Sequence, residues 1–262
     1  MLVPRRAWPD DRFPHWAVAA LRAAGARVSE TGARADVALV PALRPAARTR
    51  VRARRVIALA DVPLRPGDER LDGVEVVATS AALAAPWRDA RIVRPAVDHT
   101  VRSPVKQGVR PHARALRVVS VGPLHWSAGH EHAVVAAARL GAQLLVVGEG
   151  PAREEILFAA FDLGIEASVQ IAAGDEGAAI AAADVVVVPA VEDRAWAGAL
   201  HALAAGVTVI ASRLPTMREL EVPSLVPLRD PDALAESILT RDAITPRPDL
   251  TDLEACGRAL LA

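Results

Sequence analysis

The stretch from Pro189 to Gly206, PAVEDRAWAGALHALAAG, carries acidic, basic and histidine side chains that only partly suit the ligand site its pattern suggests. It lies between two apolar runs, ADVVVVPA and VTVIAS, so the pattern predicts a strand, a loop, a helix and a second strand. α/β proteins bind ligands in the loops at the carboxyl ends of parallel strands. This stretch is therefore the first candidate binding site.

Alternating strands and helices must position this stretch. β-branched runs predict strands at 35–42, 54–61, 73–80 and 90–96, and again at 116–122, 142–150, 168–173, 184–190 and 207–212. Alanine-rich periodic segments predict helices at 130–141, 152–164, 177–183 and 196–206, and a last helical pattern covers 250–261. Continuously apolar strands separated by helices indicate parallel sheets covered on both faces, which defines an α/β fold.

A polar segment, DHTVRSPVKQGVRPHARA, separates the two groups of strands at residues 98–115. It holds two prolines and a glycine and has no periodicity, which is typical of a linker. We therefore expect two domains, residues 1–105 and residues 106–262.

The composition excludes several classes of protein. Of the 262 residues, 52% are hydrophobic and 24% are charged, which indicates a packed globular chain. The 31 acidic and 31 basic residues balance, so no overall charge favours nucleic acid or a membrane. The single cysteine, Cys256, can form no internal disulfide and fits a reducing compartment. Because no signal-peptide core opens the chain and Asp184 interrupts the longest apolar stretch, we expect a cytoplasmic protein.

Beyond Val97 the order of motifs resembles the C-terminal half of a retaining glycosyltransferase of family 4, which has the GT-B fold. The motifs are RPAVDHTVRSP, VVSVGPLHWSAGHEHAVVAAARL, LLVVGEGPAREEILFAAFDLGI, AAIAAADVVVVPA and HALAAGVTVIAS. The resemblance implies two Rossmann-like domains facing across a cleft, and a nucleotide sugar, UDP- or GDP-linked, bound by the second domain. The first domain resembles the family's acceptor half only loosely and is shortened. Where the family usually has a histidine near the sugar, ALADVP offers Ala60 and Asp61.

The resemblance also implies roles for the stretch from Pro189 to Gly206. The family has two glutamates there, one near the donor sugar and one that binds the ribose. Their positions fall on Asp193, the candidate catalytic residue, and on His201. The loop glycines fall on Arg194 and Trp196, and a tryptophan there would occupy space that the sugar needs. A solvated loop acid at Asp193 and a packed histidine at His201 are the structural alternatives.

Two cations of the family are missing, since the expected arginine and lysine fall on Pro123 and Ala128. Substitute cations are Arg117, His125, His130, Arg194 and Arg213. Glycines and helix N-termini remain, and backbone N–H groups alone can bind phosphate. The expected nucleotide-sugar contacts are therefore Gly122, Ala128, Gly129, Gly148, Gly150, Arg194, Ala197, Gly198 and His201. Gly148 and Gly150 have a structural alternative, a plain turn between strand and helix.

Two functions follow, and the sequence leaves both open. The first is transfer of a hexose from the nucleotide sugar to an unknown acceptor. The second is a non-catalytic pseudo-glycosyltransferase that serves as a partner subunit or scaffold. We expect no metal ion or other cofactor, and no nucleic acid, because no aromatic residues accompany the basic ones. A basic run is suited either to anionic lipid head groups or to a solvated surface: Arg44, Arg48, Arg50, Arg52, Arg54 and Arg55.

Overall fold

The computed structural model describes residues 3, 15–30, 34–42, 52–64, 66, 74–97, 115–174, 176–193, 197–247, 250 and 252–262. These residues form two compact units. The first extends to Val97, also includes Asp193, and resumes at Asp252, whereas the second holds the described residues from 115 to 192 and from 197 to 250. The expected linker lies outside the described residues apart from Ala115. No helix in the described ranges has the length and hydropathy that a membrane crossing requires.

The first unit is a four-stranded parallel sheet in the order β1-β2-β3-β4. Its strands are β1 (Arg34–Pro41), β2 (Arg52–Ala60), β3 (Glu75–Ala78) and β4 (Arg91–Ile92). Helices α1 (His15–Ala23) and α9 (Leu253–Leu261) cover one face, and the short α2 (Ala81–Ala84) follows β3. The strand pattern predicts β1 to β3 closely, whereas β4 is much shorter than the expected 90–96.

The last helix corrects the expected domain boundary. The sequence predicts one domain over residues 106–262, but α9 packs on α1 of the first unit. Gly257 makes this possible, since a Cβ there would lie 2.0 Å from the Ala20 carbonyl oxygen. A helix so close to its neighbour has no room for a larger residue at this position.

Two arginines hold the end of α9. The Arg55 guanidinium donates to the Glu75 carboxylate at 2.8 Å and to the Leu261 carbonyl at 2.6 Å. Arg91 donates to the same carboxylate at 2.6 Å and to the Ala259 carbonyl at 2.6 Å. Partial burial would raise the pKa of Glu75, but the hydrogen bonds and charges of Arg91 and Arg55 outweigh it and lower that pKa. This cluster satisfies carbonyl groups that the helix itself leaves without donors.

The cluster corrects the expectation for the basic run. Arg55 is engaged by Glu75 and Leu261, so it is not available to lipid head groups. Arg54 is exposed and lies 3.9 Å from Asp36, and Arg52 is exposed as well. The other members, Arg44, Arg48 and Arg50, lie outside the described residues.

The second unit is a six-stranded parallel sheet in the order β10-β9-β8-β5-β6-β7. Its strands are β5 (Arg117–Val121), β6 (Gln143–Val147), β7 (Val169–Ala172), β8 (Val185–Val188), β9 (Val209–Ser212) and β10 (Ser224–Val226). Its helices are α3 (His130–Leu140), α4 (Arg153–Asp162), α5 (Glu176–Ala182), α6 (Ala197–Ala205), α7 (Pro215–Glu219) and α8 (Pro231–Leu239). All four residues of β8 are buried, as expected for a strand covered on both faces.

The strand order of the second unit reverses beside β5. The chain runs outward from β5 through β6 to β7, and then returns to the other side of β5 with β8. In open parallel sheets, the loops that part at such a reversal leave room for a ligand at the carboxyl edge. The α/β fold with parallel sheets in two units is therefore confirmed, and it directs attention to the loops after β5 and β8.

Candidate binding site in the second unit

The loop after β5 lies directly on the loop after β8. It forms a 3-10 turn, Trp126–Ala128, and then Gly129 with φ +66° opens α3. A Cβ at Gly129 would lie 2.1 Å from the Pro189 carbonyl oxygen. The Val191 N–H also donates to the Ser127 carbonyl at 3.0 Å. Glycine is required here both for the left-handed backbone and for the close approach.

The loop after β6 meets the same β5 loop from its other side. A Cβ at Gly148 would lie 1.8 Å from the Gly122 carbonyl oxygen, and one at Gly150 would lie 2.4 Å from the Leu124 carbonyl oxygen. The Leu124 N–H donates to the Glu149 carbonyl at 2.8 Å. These glycines therefore have a packing role, which was the structural alternative; whether they also contact a ligand stays a prediction.

Helix α6 begins beside the end of β5. A Cβ at Gly198 would lie 2.7 Å from the Val121 Cβ. The start of α6 therefore lies too close to the end of β5 for any residue but glycine at this position. Asp193 is half-buried at the end of the β8 loop. Arg194 and Trp196 lie outside the described residues, so the expected obstruction by Trp196 stays a prediction.

Hydrogen bonds within the β5 loop reduce the number of backbone N–H groups that can bind a phosphate. The Ala128 N–H donates to the His125 carbonyl at 2.9 Å, and the Gly129 N–H donates to the Trp126 carbonyl at 3.2 Å. Both groups are therefore used within the 3-10 turn. The N–H groups that open α3 belong to His130 and Glu131, and those that open α6 belong to Ala197 and Gly198. The first N–H groups of a helix have no acceptor inside it and can bind an anion.

His130 cannot supply the missing positive charge. It is 1% exposed, and burial lowers its pKa to about 4, although hydrogen bonds with the Pro123 and Gly122 backbone act in the opposite direction. Its Nε2 lies 3.1 Å from the Pro123 carbonyl oxygen, and its Nδ1 lies 2.9 Å from the Ser120 Oγ. A carbonyl only accepts, so Nε2 carries the proton and the Ser120 hydroxyl donates to Nδ1. His130 is thus a neutral side chain that supports the β5 loop through its hydrogen bonds to Pro123 and Ser120, and we call it the neutral brace.

The other substitute cations lie in different places. Arg117 stands at the amino end of β5, the wrong edge for the site. Arg213 directly follows β9 at the carboxyl edge, is exposed, and donates to the Leu225 carbonyl at 3.3 Å. His125 is half-buried in the β5 loop, where its Nδ1 accepts from the Ser127 N–H at 3.3 Å. Arg213 and His125 therefore remain as candidates at the correct edge.

His201 is close to a carboxylate that the sequence analysis did not single out. Its Nδ1 is buried and lies 3.5 Å from the Glu176 Oε2, without the geometry of a hydrogen bond. Glu176 opens α5 just after β7, also at the carboxyl edge. The acidic pair DE after the β7 run was the available signal. Among the described residues, no group of three or more histidine, cysteine or acidic side chains is arranged to hold a metal ion.

Comparison with known proteins supports the resemblance. Residues 115–241, most of the second unit, match the family model Glycosyl transferases group 1. A comparison with curated protein sequences found no match. Similar solved structures are glycosyltransferases of the GT-B fold, so the GT-B resemblance is confirmed.

Three of these structures indicate the extent of the likeness. Sucrose-phosphate synthase from Thermosynechococcus elongatus is 25% identical with a TM-score of 0.54, over 71% of this chain and 53% of that one. S. aureus TarM, in complex with Fondaparinux, alpha-GlcNAc-glycerol and UDP, is 11% identical with a TM-score of 0.56, over 79% and 47%. Anabaena Alr3699/HepE, in complex with UDP and glucose, is 15% identical with a TM-score of 0.68, over 95% and 80%. The chain thus spans about half the length of the first two proteins.

Gly129→Ala tests the contact between the β5 and β8 loops. Gly141, with φ +58° and nothing within 4 Å of an added Cβ, is the matched control. We expect Gly141→Ala to cost about 1–2 kcal/mol for its left-handed backbone. Gly129→Ala should cost about 2–5 kcal/mol, because the Pro189 carbonyl must also move. Urea unfolding measures both, and equal costs would contradict the close contact.

His130→Gln tests the neutral brace, with His132→Gln on the same helix as control. The unfolded chain binds a proton at His130 near pH 6.5, and the folded chain only near pH 4. Stability is therefore complete above pH 6.5 and falls as the pH drops toward 4, by roughly 3 kcal/mol. Between pH 7 and pH 4.5 the free energy of unfolding of wild type should therefore decrease by about this amount more than that of His130→Gln. An unchanged pH dependence of the free energy of unfolding would show that His130 is not buried in neutral form.

Proposed function

We propose that the second unit binds a nucleotide sugar carried by UDP or GDP, and that the chain is a glycosyltransferase of the family 4 type that transfers a hexose. One observation carries the proposal. The N-termini of α3 and α6 both lie beside the end of β5, where the strand order reverses. In this proposal their N–H groups, rather than a metal ion, meet the diphosphate charge.

The expected affinity is low because the charged contacts are missing. A neutral hydrogen bond contributes about 0.5–1.5 kcal/mol net, whereas one with a charged donor contributes about 1.5–3 kcal/mol. Proline and alanine stand at 123 and 128 in place of the family's arginine and lysine. Two lost charged contacts correspond to a loss of about two or more powers of ten in affinity. Arg213, at the same edge, is a described cation that would offset part of this loss.

Glu176 is a second element of the proposed site. The family's ribose-binding glutamate falls on His201, which lacks a fixed negative charge. Glu176 supplies a carboxylate 3.5 Å from the His201 Nδ1. A carboxylate accepts hydrogen bonds from two neighbouring hydroxyl groups, as the ribose offers. We therefore assign the ribose contact to Glu176 together with His201.

In the proposed reaction, the bond between the sugar C1 and the diphosphate oxygen breaks, and the diphosphate leaves with the electron pair. The acceptor hydroxyl oxygen forms the new bond to C1, and its proton passes to the departing phosphate. The N–H groups of α3 and α6 stabilise the negative charge as it grows on the diphosphate. Asp193 is the candidate catalytic residue, with its carboxylate accepting from a donor-sugar hydroxyl.

The second candidate function is a non-catalytic glycosyltransferase relative that serves as a partner subunit or scaffold. The neutral state of His130, with proline and alanine at 123 and 128, favours it, because departure of a diphosphate requires strong charge stabilisation.

Calorimetric titration with UDP and GDP tests the site. We expect wild type to bind one of them with a dissociation constant of about 10 μM to 1 mM. Glu176→Gln should weaken binding about tenfold, since an amide loses the charged acceptor. The control is Glu166→Gln, an exposed acid before β7, which should bind as wild type does. A submicromolar dissociation constant for wild type would show that other cations have replaced the missing ones. If Glu176→Gln binds as tightly as wild type does, Glu176 does not contact the ribose.

Turnover separates the two functions. Wild type incubated with UDP- and GDP-hexoses should release the free nucleoside diphosphate, and Asp193→Asn should lower the rate at least 100-fold (roughly 2.7 kcal/mol). Glu192→Gln, the neighbouring loop acid, is the control. The scaffold function would be supported if wild type and Asp193→Asn both bind the nucleoside diphosphate but neither releases it from a UDP- or GDP-hexose.

A further inference from the structure

Helix α4 of the second unit carries two large apolar side chains on its solvent face. Phe158 is 63% exposed and Phe161 is 67% exposed. The inner face of the helix is formed by other residues, since Ile156 and Ala160, four residues apart, are buried in the core of the unit. Packing of the core therefore does not account for the two phenylalanines.

The two rings belong to one continuous apolar surface. Residues three and four apart are neighbours on a helix, so Phe161 lies beside Phe158 and beside the half-buried Leu157. We call these three residues the α4 patch. The whole chain has three phenylalanines, and two of them stand here. Single exposed apolar residues are ordinary, whereas a contiguous patch with aromatic side chains is typical of an interaction surface.

Acidic side chains flank the α4 patch. Glu154 and Asp162 lie one turn before and one turn after Phe158 on the same face of the helix, and both are exposed. Glu155, three residues before Phe158, is exposed beside them. The basic residue of the helix, Arg153, donates to the Ile171 carbonyl at 3.5 Å. The surface around the two rings is therefore negatively charged.

Asp162 stands where a negative charge is unfavourable for the helix itself. It occupies the last turn of α4, whose terminal carbonyl groups already form the negative end of the helix dipole. A lysine or arginine would stabilise this position, and a carboxylate destabilises it. A cationic group of a partner would interact favourably both with the Asp162 carboxylate and with the helix-terminal carbonyls. The aspartate is explained if it serves such a partner.

We propose that the α4 patch binds a partner protein through a segment of that protein in which apolar side chains are flanked by lysine or arginine. Charge complementarity selects this occupant. Pairing of α4 with α4 of a second copy would bring Glu154, Glu155 and Asp162 against like charges, and the same side chains repel an anionic membrane surface. The docking does not depend on nucleotide binding, and it would give the second candidate function, the partner subunit, its contact surface.

Selection from a displayed library of random peptides of about 15 residues tests this chemistry. The full chain is the bait, and the double variant Phe158→Ser/Phe161→Ser serves for counterselection. Serine has nearly the helix propensity of phenylalanine, so the double variant should unfold at the wild-type temperature. We expect the peptides that distinguish the two proteins to combine apolar residues with an excess of lysine and arginine. The tightest of them should bind the double variant at least tenfold more weakly than wild type.

Three further variants separate the patch from general stickiness. Leu239→Ser is the control, because Leu239 at the end of α8 is also 67% exposed but lies outside the α4 patch, and it should bind the peptide as wild type does. Glu154→Gln/Asp162→Asn should weaken the peptide about threefold at low salt and reduce its salt dependence. Asp162→Asn alone should raise the Tm by about 1–3 °C, because it removes a charge from the negative end of the helix.

Several outcomes would overturn the docking surface. The first two are that no peptide distinguishes wild type from the double variant, or that the distinguishing peptides carry no excess of positive charge. The next two are that the double variant abolishes self-association in sedimentation velocity, or abolishes binding to vesicles of phosphatidylcholine and phosphatidylglycerol. A fall in the Tm of Asp162→Asn would show that this charge serves the fold. UDP binding by the double variant should equal that of wild type, so the proposed function and the docking surface fail separately.

Discussion

Direct backbone contact between loops is the constraint on which the second unit's candidate site depends. The loop after β5 touches the β8 loop at Gly129 and the β6 loop at Gly148 and Gly150, and each contact is closer than any Cβ permits. At Gly198 the start of α6 reaches the end of β5 in the same way. These contacts hold the N-termini of α3 and α6 beside one strand end. A binding site made of backbone donors requires such close loops, because N–H groups cannot reach out as long side chains do.

The electrostatics of the site differ from those of a site built on cations. His130, at the start of α3, is held neutral by burial and braces the loop through Pro123 and Ser120. Ala128 and Gly129 have already used their N–H groups within the 3-10 turn. The phosphate charge would therefore meet mainly helix-terminal N–H groups, with Arg213 as a candidate cation at the same edge of the sheet. This arrangement is consistent with weak binding of a nucleoside diphosphate. In a transfer reaction, it would also stabilise the departing diphosphate less than a site with cationic side chains would.

The sequence predicted β5 to β9 and α3 to α6 of the second unit well because each is locally encoded, but it did not predict β10 or α7. The unbroken apolar run of β8 and the glycines after α3 and α6 mark their elements without help from the rest of the chain. The sequence did not predict what distant contacts decide. Helix α9 belongs to the first unit because Gly257 fits against Ala20, a pairing that no local pattern records. The approach of Glu176 to His201 likewise arises only when separate elements come together.

The central claim is that helix-terminal N–H groups of the second unit bind the diphosphate. Its most direct test is a titration of ¹⁵N-labelled, deuterated protein with UDP and GDP, followed by amide chemical shifts. The account predicts that the largest shifts fall on His130 and Glu131 of α3 and on Ala197 and Gly198 of α6, while amides of the first unit's sheet stay unchanged. Saturable binding whose largest shifts lie away from both helix starts, or no shift at millimolar nucleotide, would contradict it.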